Sequence, residues 1–495
     1  MNFNSLQFLI FLPIVLCLYW LLPHKLRWAM LLIASYYFYM SWNAWLVFAI
    51  LGTTIVSYGA GLLLGKIKKS RLRKLVLAVT VIVCIGTLVF FKYFNFLLQS
   101  AIDFLNLFSL NIQSFSLDLI LPVGISFYTF QTLSYVIDVY REKFTPEKHF
   151  GYYALFVSYF PQLVAGPIEK PQDLLPQLKR EHFFNGENML SGFKILLCGF
   201  FMKCVVADYC GTFVINVFNN IDGATGLSVF IACFLFSAQM FCDFAGYSNI
   251  AIGCARMMGV KLTKNFDKPY LSLSFTEFAR RWHITLNRWF IEYVYIPLGG
   301  SRKGRARQLF NTLFVFVLSG MWHGANWTFV LWGLYLGVMG CIESLLAKPV
   351  NKFIKAKGFN INRRWITVVR YLCMGLLSVP VSLMFRAQSI GQIGELLSKI
   401  TVFGLSQTVS SLGMGLGNLL CVVLGILCMS LIQDFAEEKT GFKPDKIAYV
   451  KNGHTERSLY AQKLSVFFYA VLAVGVFWLA LLASGDVSAF QYFQF

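Results

Sequence analysis

The sequence predicts an all-α polytopic membrane protein, and three observations carry that prediction. Hydrophobic residues make up 57% of the 495, and charged residues only 13%, where a typical soluble domain has about 25% charged. Several apolar runs approach or exceed the roughly 20 residues a helix needs to cross a bilayer. The basic residues fall mostly in short runs between those segments, as in the loops of a membrane chain.

Taken in order, the segments define a topology. Residues 6–22 are apolar, with no basic stretch before them and no small-residue cleavage site. They read as a retained span rather than a removed signal. The run Lys66, Lys68, Lys69, Arg71, Arg73, Lys74 contains no acid, which places it in the cytoplasm. Residues 101–118 hold two aspartates and no Lys or Arg, so that loop is outside. Residues 261–307 carry ten Lys or Arg against three acids and form a cytoplasmic interfacial segment. The basic stretches 348–364 and 439–463 are inside as well. This alternation predicts both termini outside, about ten full spans and one membrane-embedded unit over 1–495.

Two segments break the alternation and are expected to be re-entrant hairpins. Residues 150–167 are apolar but lie between Arg141, Lys143 and Lys148 on one side and Lys170, Lys179 and Arg180 on the other. Pro161, Gly166 and Pro167 interrupt them. Irregular backbone at membrane depth is tolerated only when buried in protein or lining a wet cavity. Residues 308–346 also begin and end on the cytoplasmic side. A first arm over 308–320 would reach roughly 20 Å at 1.5 Å per residue.

The net charge of +20 is read as topological, with positive loops facing anionic lipid and an added attraction for an anionic cytosolic donor. No nucleic-acid role is inferred. Twelve cysteines are scattered without a CxxC pair and read as small buried hydrophobes.

Two constellations carry chemistry. The first, SGMWHGANW (319–327), lies in a run whose only acidic, basic or imidazole side chains between Arg307 and Lys348 are His323 and Glu343. A histidine at membrane depth is a functional candidate by default. Its alternative is a neutral histidine bonded to a carbonyl freed at a helix break. Trp322, Trp327 and Trp332 are spaced by five and define no single helical face, which suits packing or the interface. The second constellation is SFTEFARRWHITLNRWFIEYVYIPLGGSRKGRAR (274–307). Ser274 and Glu277 form an S-x-x-E capping box that starts a helix near Phe275. On one continuous helix Arg280, His283 and Asn287 would share a face, with Arg281 and Arg288 on another. Its alternative role is that of an amphipathic helix on the membrane surface. The glycine-containing turn that follows matches neither common phosphate-binding pattern. Asp243, within QMFCDFAGYSNIAIG, is a buried acid that fits a hydrogen-bond partner between helices. Two histidines without a further ligand make no metal site.

Together these segments resemble the membrane-bound O-acyltransferase family, most of all its bacterial branch, which includes the alginate O-acetyltransferase membrane subunit. The likeness runs through LPVGISFYTFQTLSYVIDVYR, FPQLVAGPI, FCDFAGYSNIAIG, FARRWHITLNRWFIEYVYIPLGGSR, LSGMWHGANWTFVLWGLYLG, MFRAQS and the terminal FQYFQF. The resemblance implies a ring of about ten or more tilted transmembrane helices around a thin central floor. It implies that His323 is catalytic and His283 the second signature position. Arg280, Arg281, Asn287, Arg288, Trp322, Asn326 and Asp243 are the candidate substrate-binding residues. It implies acyl transfer in a bacterial cell membrane from a cytosolic thioester, acetyl-CoA or a phosphopantetheine carrier, to polysaccharide hydroxyls. No bound cofactor is expected, and an extracytoplasmic hydrolase-like partner is. A thioester is already activated, so the protein needs a base rather than a nucleophile, and imidazole supplies one. D-alanyl transfer to teichoic acid is the nearest alternative. A transporter, the alternative from another class, would show internal repeats, and no repeat relates 150–167 to 308–346.

Overall fold

A computed structural model describes residues 1–357 and 364–413. The basic stretch 439–463, the terminal FQYFQF and the C-terminus lie outside the described residues. Among the described residues the α-helices are α1 Leu6–Leu21, α2 His24–Met40, α3 Val47–Lys66, α4 Ser70–Asn106, α5 Ile125–Tyr140, α6 Phe150–Ser158, α7 Pro171–Lys179, α8 Gly186–Phe200, α9 Asp208–Asn219, α10 Gly226–Met257, α11 Phe275–Arg281, α12 Ile284–Phe290, α13 Arg305–His323, α14 Trp327–Ala356, α15 Arg364–Arg386, α16 Ile390–Ser398 and α17 Leu405–Leu412.

Among the described residues, six helical segments are long and apolar enough to cross a membrane. These are Ala44–Lys66, Ser70–Asn106, Gly186–Asn219, Gly226–Met257, Trp327–Ile354 and Arg364–Arg386. Helices α1, α2, α5 and α13 have 16 to 19 residues. At 1.5 Å per residue they reach about 24–28 Å, just short of a hydrocarbon core of about 30 Å.

Glycine sets the closest helix contacts. On α8 and α10, a Cβ at Gly199 would lie 2.7 Å from the Gly246 carbonyl oxygen, and one at Gly253 would lie 2.6 Å from that of Gly192. Both helices carry their glycines seven residues apart, so the two backbones touch along one stripe. Between α8 and α9 the chain widens into a π-helix, Phe201–Ala207. There Lys203 meets Asp243 of α10 at 2.8 Å and Asp208 at 2.7 Å.

The first interrupted segment is a nine-residue helix, α6, followed by irregular backbone. Side chains from other elements satisfy the broken backbone, as burial demands. Gln131 of α5 donates to the Phe156 carbonyl at 2.7 Å, Phe160 N donates to Ser35 Oγ of α2 at 3.1 Å, and Ile168 N donates to Thr285 Oγ1 of α12 at 3.1 Å.

The second interrupted segment is a hairpin of α13 and α14 joined by 324–326. Its first arm is longer than the 13 residues expected: α13 runs unbroken for 19 residues to His323. The reason lies in what Gly320 does. It does not break the helix; it lets α14 approach, since a Cβ there would strike the Phe329 carbonyl oxygen, and Gly333 on α14 faces the Phe316 carbonyl in the same way. The helix ends one glycine later, at Gly324, whose backbone is extended.

Candidate active site

His323 is the last residue of α13 and is 8% exposed. Its imidazole is boxed by the rings of Trp322 at 5.0 Å, Trp332 at 5.1 Å and Phe385 at 5.4 Å between centroids. Three helices thus fix its ring: α13, α14 and α15.

His283 is 1% exposed and sits deeper than an interfacial helix would put it. The single helix expected over 275–290 is two. α11 ends at Arg281, Trp282 is extended, and His283 takes the left-handed conformation (φ 44°, ψ 55°) before α12 begins. A left-handed non-glycine residue is uncommon and persists only where its surroundings hold it. Buried Asn265 is what holds it. Its carbonyl accepts from Ile284 N at 2.8 Å, and its Oδ1 lies 3.0 Å from His283 Nδ1 and accepts from Thr285 N at 3.4 Å and Thr285 Oγ1 at 3.0 Å. A backbone N–H can only donate, so Oδ1 is an acceptor. His283 therefore carries its proton on Nδ1 and presents the lone pair on Nε2.

The break rearranges the other candidates of this segment. Asn287 does not share a face with Arg280 and His283. Its Nδ2 donates to the Ala279 and Trp282 carbonyls at 2.5 and 2.6 Å, closing the end of α11. Arg280 is exposed. Arg281 pairs with Glu277 at 2.7 Å, and exposed Arg288 lies 3.8 Å from Asp173. The Ser274 cap is present, accepting from Glu277 N at 3.1 Å, but the Glu277 carboxylate returns to Leu273 N at 2.9 Å instead of the Ser274 N–H.

The two histidines come together through Trp322, whose ring lies 5.9 Å from His283 and 5.0 Å from His323. Phe127 of α5 and Phe244 of α10 complete the compartment, at 5.3 Å from Trp322 and 4.7 Å from His283 respectively. Asp243, next to Phe244, is engaged with Lys203. Asn326 accepts from Thr328 N at 2.9 Å and donates to the Gln388 carbonyl at 2.7 Å, which fixes the turn after His323. Among the described residues no group of three His, Cys, Asp or Glu side chains is placed to hold a metal.

The membrane-bound O-acyltransferase model matches residues 148–374, which contain both histidines. The probable alginate O-acetylase AlgI of Pseudomonas syringae is 37% identical over 412 residues, 82% of this chain and 76% of that protein. The chain belongs to the membrane-bound O-acyltransferase family. This acyltransferase is also similar to the peptidoglycan O-acetyltransferase of Helicobacter pylori, at 34% identity over 65% of each chain. The teichoic acid D-alanyltransferase of Streptococcus thermophilus is 27% identical over 48% of this chain and 60% of its own.

Elsewhere in the acyltransferase, charge ties the segment after α5 and the segment before α7 to the residues that follow α12. Lys143 and Lys170 both pair with Glu292. Glu169 is buried beneath Thr263, which donates to it from N at 2.5 Å and from Oγ1 at 3.0 Å. Burial pushes the Glu169 carboxyl up to about 7, against the opposing pull of those two hydrogen bonds. A carboxyl raised in the folded state binds more protons there than when unfolded. Its effect is therefore a loss of stability as pH rises from the ordinary carboxyl range, about 4.3, to about 7. Glu169→Gln should flatten that part of the profile, read as the detergent melting temperature between pH 4.5 and 8. An unchanged slope would assign the pH dependence to other groups.

Three residues of this region escaped the reading of the sequence: Asn265, Lys92 and Tyr93. Asn265 lies 18 positions before the histidine it orients, and nothing in the spacing joins them. Lys92 did leave a signal, because it is the one charged side chain between Lys74 and Asp103.

Proposed function

We propose that this acyltransferase moves an acetyl group from a cytosolic thioester, acetyl-CoA or a phosphopantetheine carrier, to hydroxyls of an exported or cell-surface polysaccharide, with His323 as the general base. The observation that carries the reading is the convergence of two histidines on Trp322 where α11, α12 and α13 break. In the reaction the acceptor oxygen attacks the thioester carbon while imidazole takes the hydroxyl proton. The tetrahedral intermediate then expels the thiolate, and the imidazolium returns the proton to sulfur. Aromatic walls keep bulk water from the thioester. His283, held by Asn265, offers a second lone pair from across the indole and orients the reacting groups. The setting is a bacterial cell membrane, with a hydrolase-like partner on the outer side.

Acetyl is preferred to D-alanyl because the relatives named as acetylases match at higher identity and over more of the chain. Mass spectrometry of cell-surface polysaccharide from cells with and without the gene tests this. Loss of O-acetyl esters on deletion supports it. Loss of D-alanyl esters in their place would move the substrate to the alternative, and unchanged esters would overturn both.

A further inference from the structure

The end of α13 carries His323, and a helix ends with carbonyls that its own backbone does not satisfy. In a membrane such groups need partners from within the protein. Three successive carbonyls at this end are met by two successive residues of α4. Tyr93 Oη donates to the Met321 carbonyl at 2.6 Å, while Lys92 Nζ donates to those of Trp322 at 2.8 Å and His323 at 3.0 Å. Lys92 Nζ also lies 5.9 Å from the centroid of the Trp322 ring, the ring both histidines share. Lys92 stands in the apolar middle of a span, where an ionisable side chain is costly and marks a functional site by default. The turn it fastens continues into Gly324, which has no side chain to stiffen it.

We propose that Lys92 is a positioning residue for acyl transfer, which fixes the C-terminal turn of α13 and so the placement of the His323 imidazole. This rests on His323 being the acting base. Lys92 itself touches backbone and the Trp322 ring and is assigned no part in the proton transfer. A displacement of about 1 Å in a reacting group costs on the order of 10²-fold in rate, so release of this turn is sufficient to disable the site while the fold survives.

The test compares Lys92→Met, Lys92→Arg and Tyr93→Phe in the full-length protein, expressed in cells, with surface O-acetylation measured per unit of folded, monodisperse protein. Lys92→Met keeps the stem and loses the donors; it should lower the rate about 10–100-fold. Lys92→Arg keeps donors and should recover most of that loss. Tyr93→Phe releases one carbonyl of the three and should fall between Lys92→Met and the parent. A Lys92→Met protein as active as the parent per folded molecule would overturn the proposal, as would a Lys92→Arg protein no better than Lys92→Met. His323→Gln measured alongside separates the two levels: if it is active, the base assignment fails. If it is inactive while Lys92→Met is fully active, only the role of Lys92 fails.

Discussion

Lys203→Met is expected to destabilise the protein by about 3–5 kcal/mol, the usual result of removing one partner from a buried ion pair. Lys203 and Asp243 are each about 1% exposed and meet at 2.8 Å. Asp208, at 29% exposure, makes the second contact. Without Lys203, the Asp243 carboxylate on α10 loses its countercharge in the protein interior, and Asp208 still reaches water. The Phe201–Ala207 π-helix would also lose its anchor on α10. A sharper form of the same expectation uses the pair. Lys203→Met combined with Asp243→Leu removes both charges and should recover much of the loss, because the energetic damage comes from the charge left behind. Detergent melting temperatures for the two single variants and the double variant measure it. A double variant no more stable than Lys203→Met alone would show that the pair is not the source.

The sequence made the membrane class legible because composition and basic loops are summed over hundreds of residues. His323 was legible as well, being the lone imidazole in an apolar run and lying beside the glycine that ends its helix. The rest turned on single backbone events that leave little trace. One helix over 275–290 is what its helical spacing implies, yet His283 adopts φ 44° because Asn265, distant in sequence, grips both sides of it. Asn287 fits a helix face equally well, and only the break makes it a cap. Gly320, where the first arm was expected to end, stays inside α13 and serves as a contact surface for α14. A glycine that bends and a glycine that packs are the same letter, and what decides between them is the neighbouring helix.

The second large effect concerns His323. Its imidazole lies among Trp322, Trp332 and Phe385 rather than in open water, so His323→Ala removes packing as well as a base. His323→Gln retains bulk and hydrogen-bonding capacity but cannot take a proton at neutral pH. If His323 is the base, the loss is that of general-base catalysis, roughly 10²–10⁴-fold, while the folded protein is produced in normal amounts. If the imidazole serves only to satisfy a carbonyl and fill the aromatic box, Gln should keep most of the activity, and Ala should cost the roughly 1–3 kcal/mol of an unsatisfied buried group. The most direct test is the acetyl content of cell-surface polysaccharide, by mass spectrometry, in cells making the parent protein or His323→Gln at matched folded levels. A His323→Gln content at the level of the deletion strain is the expected result, and a content near that of the parent would contradict His323 as the base.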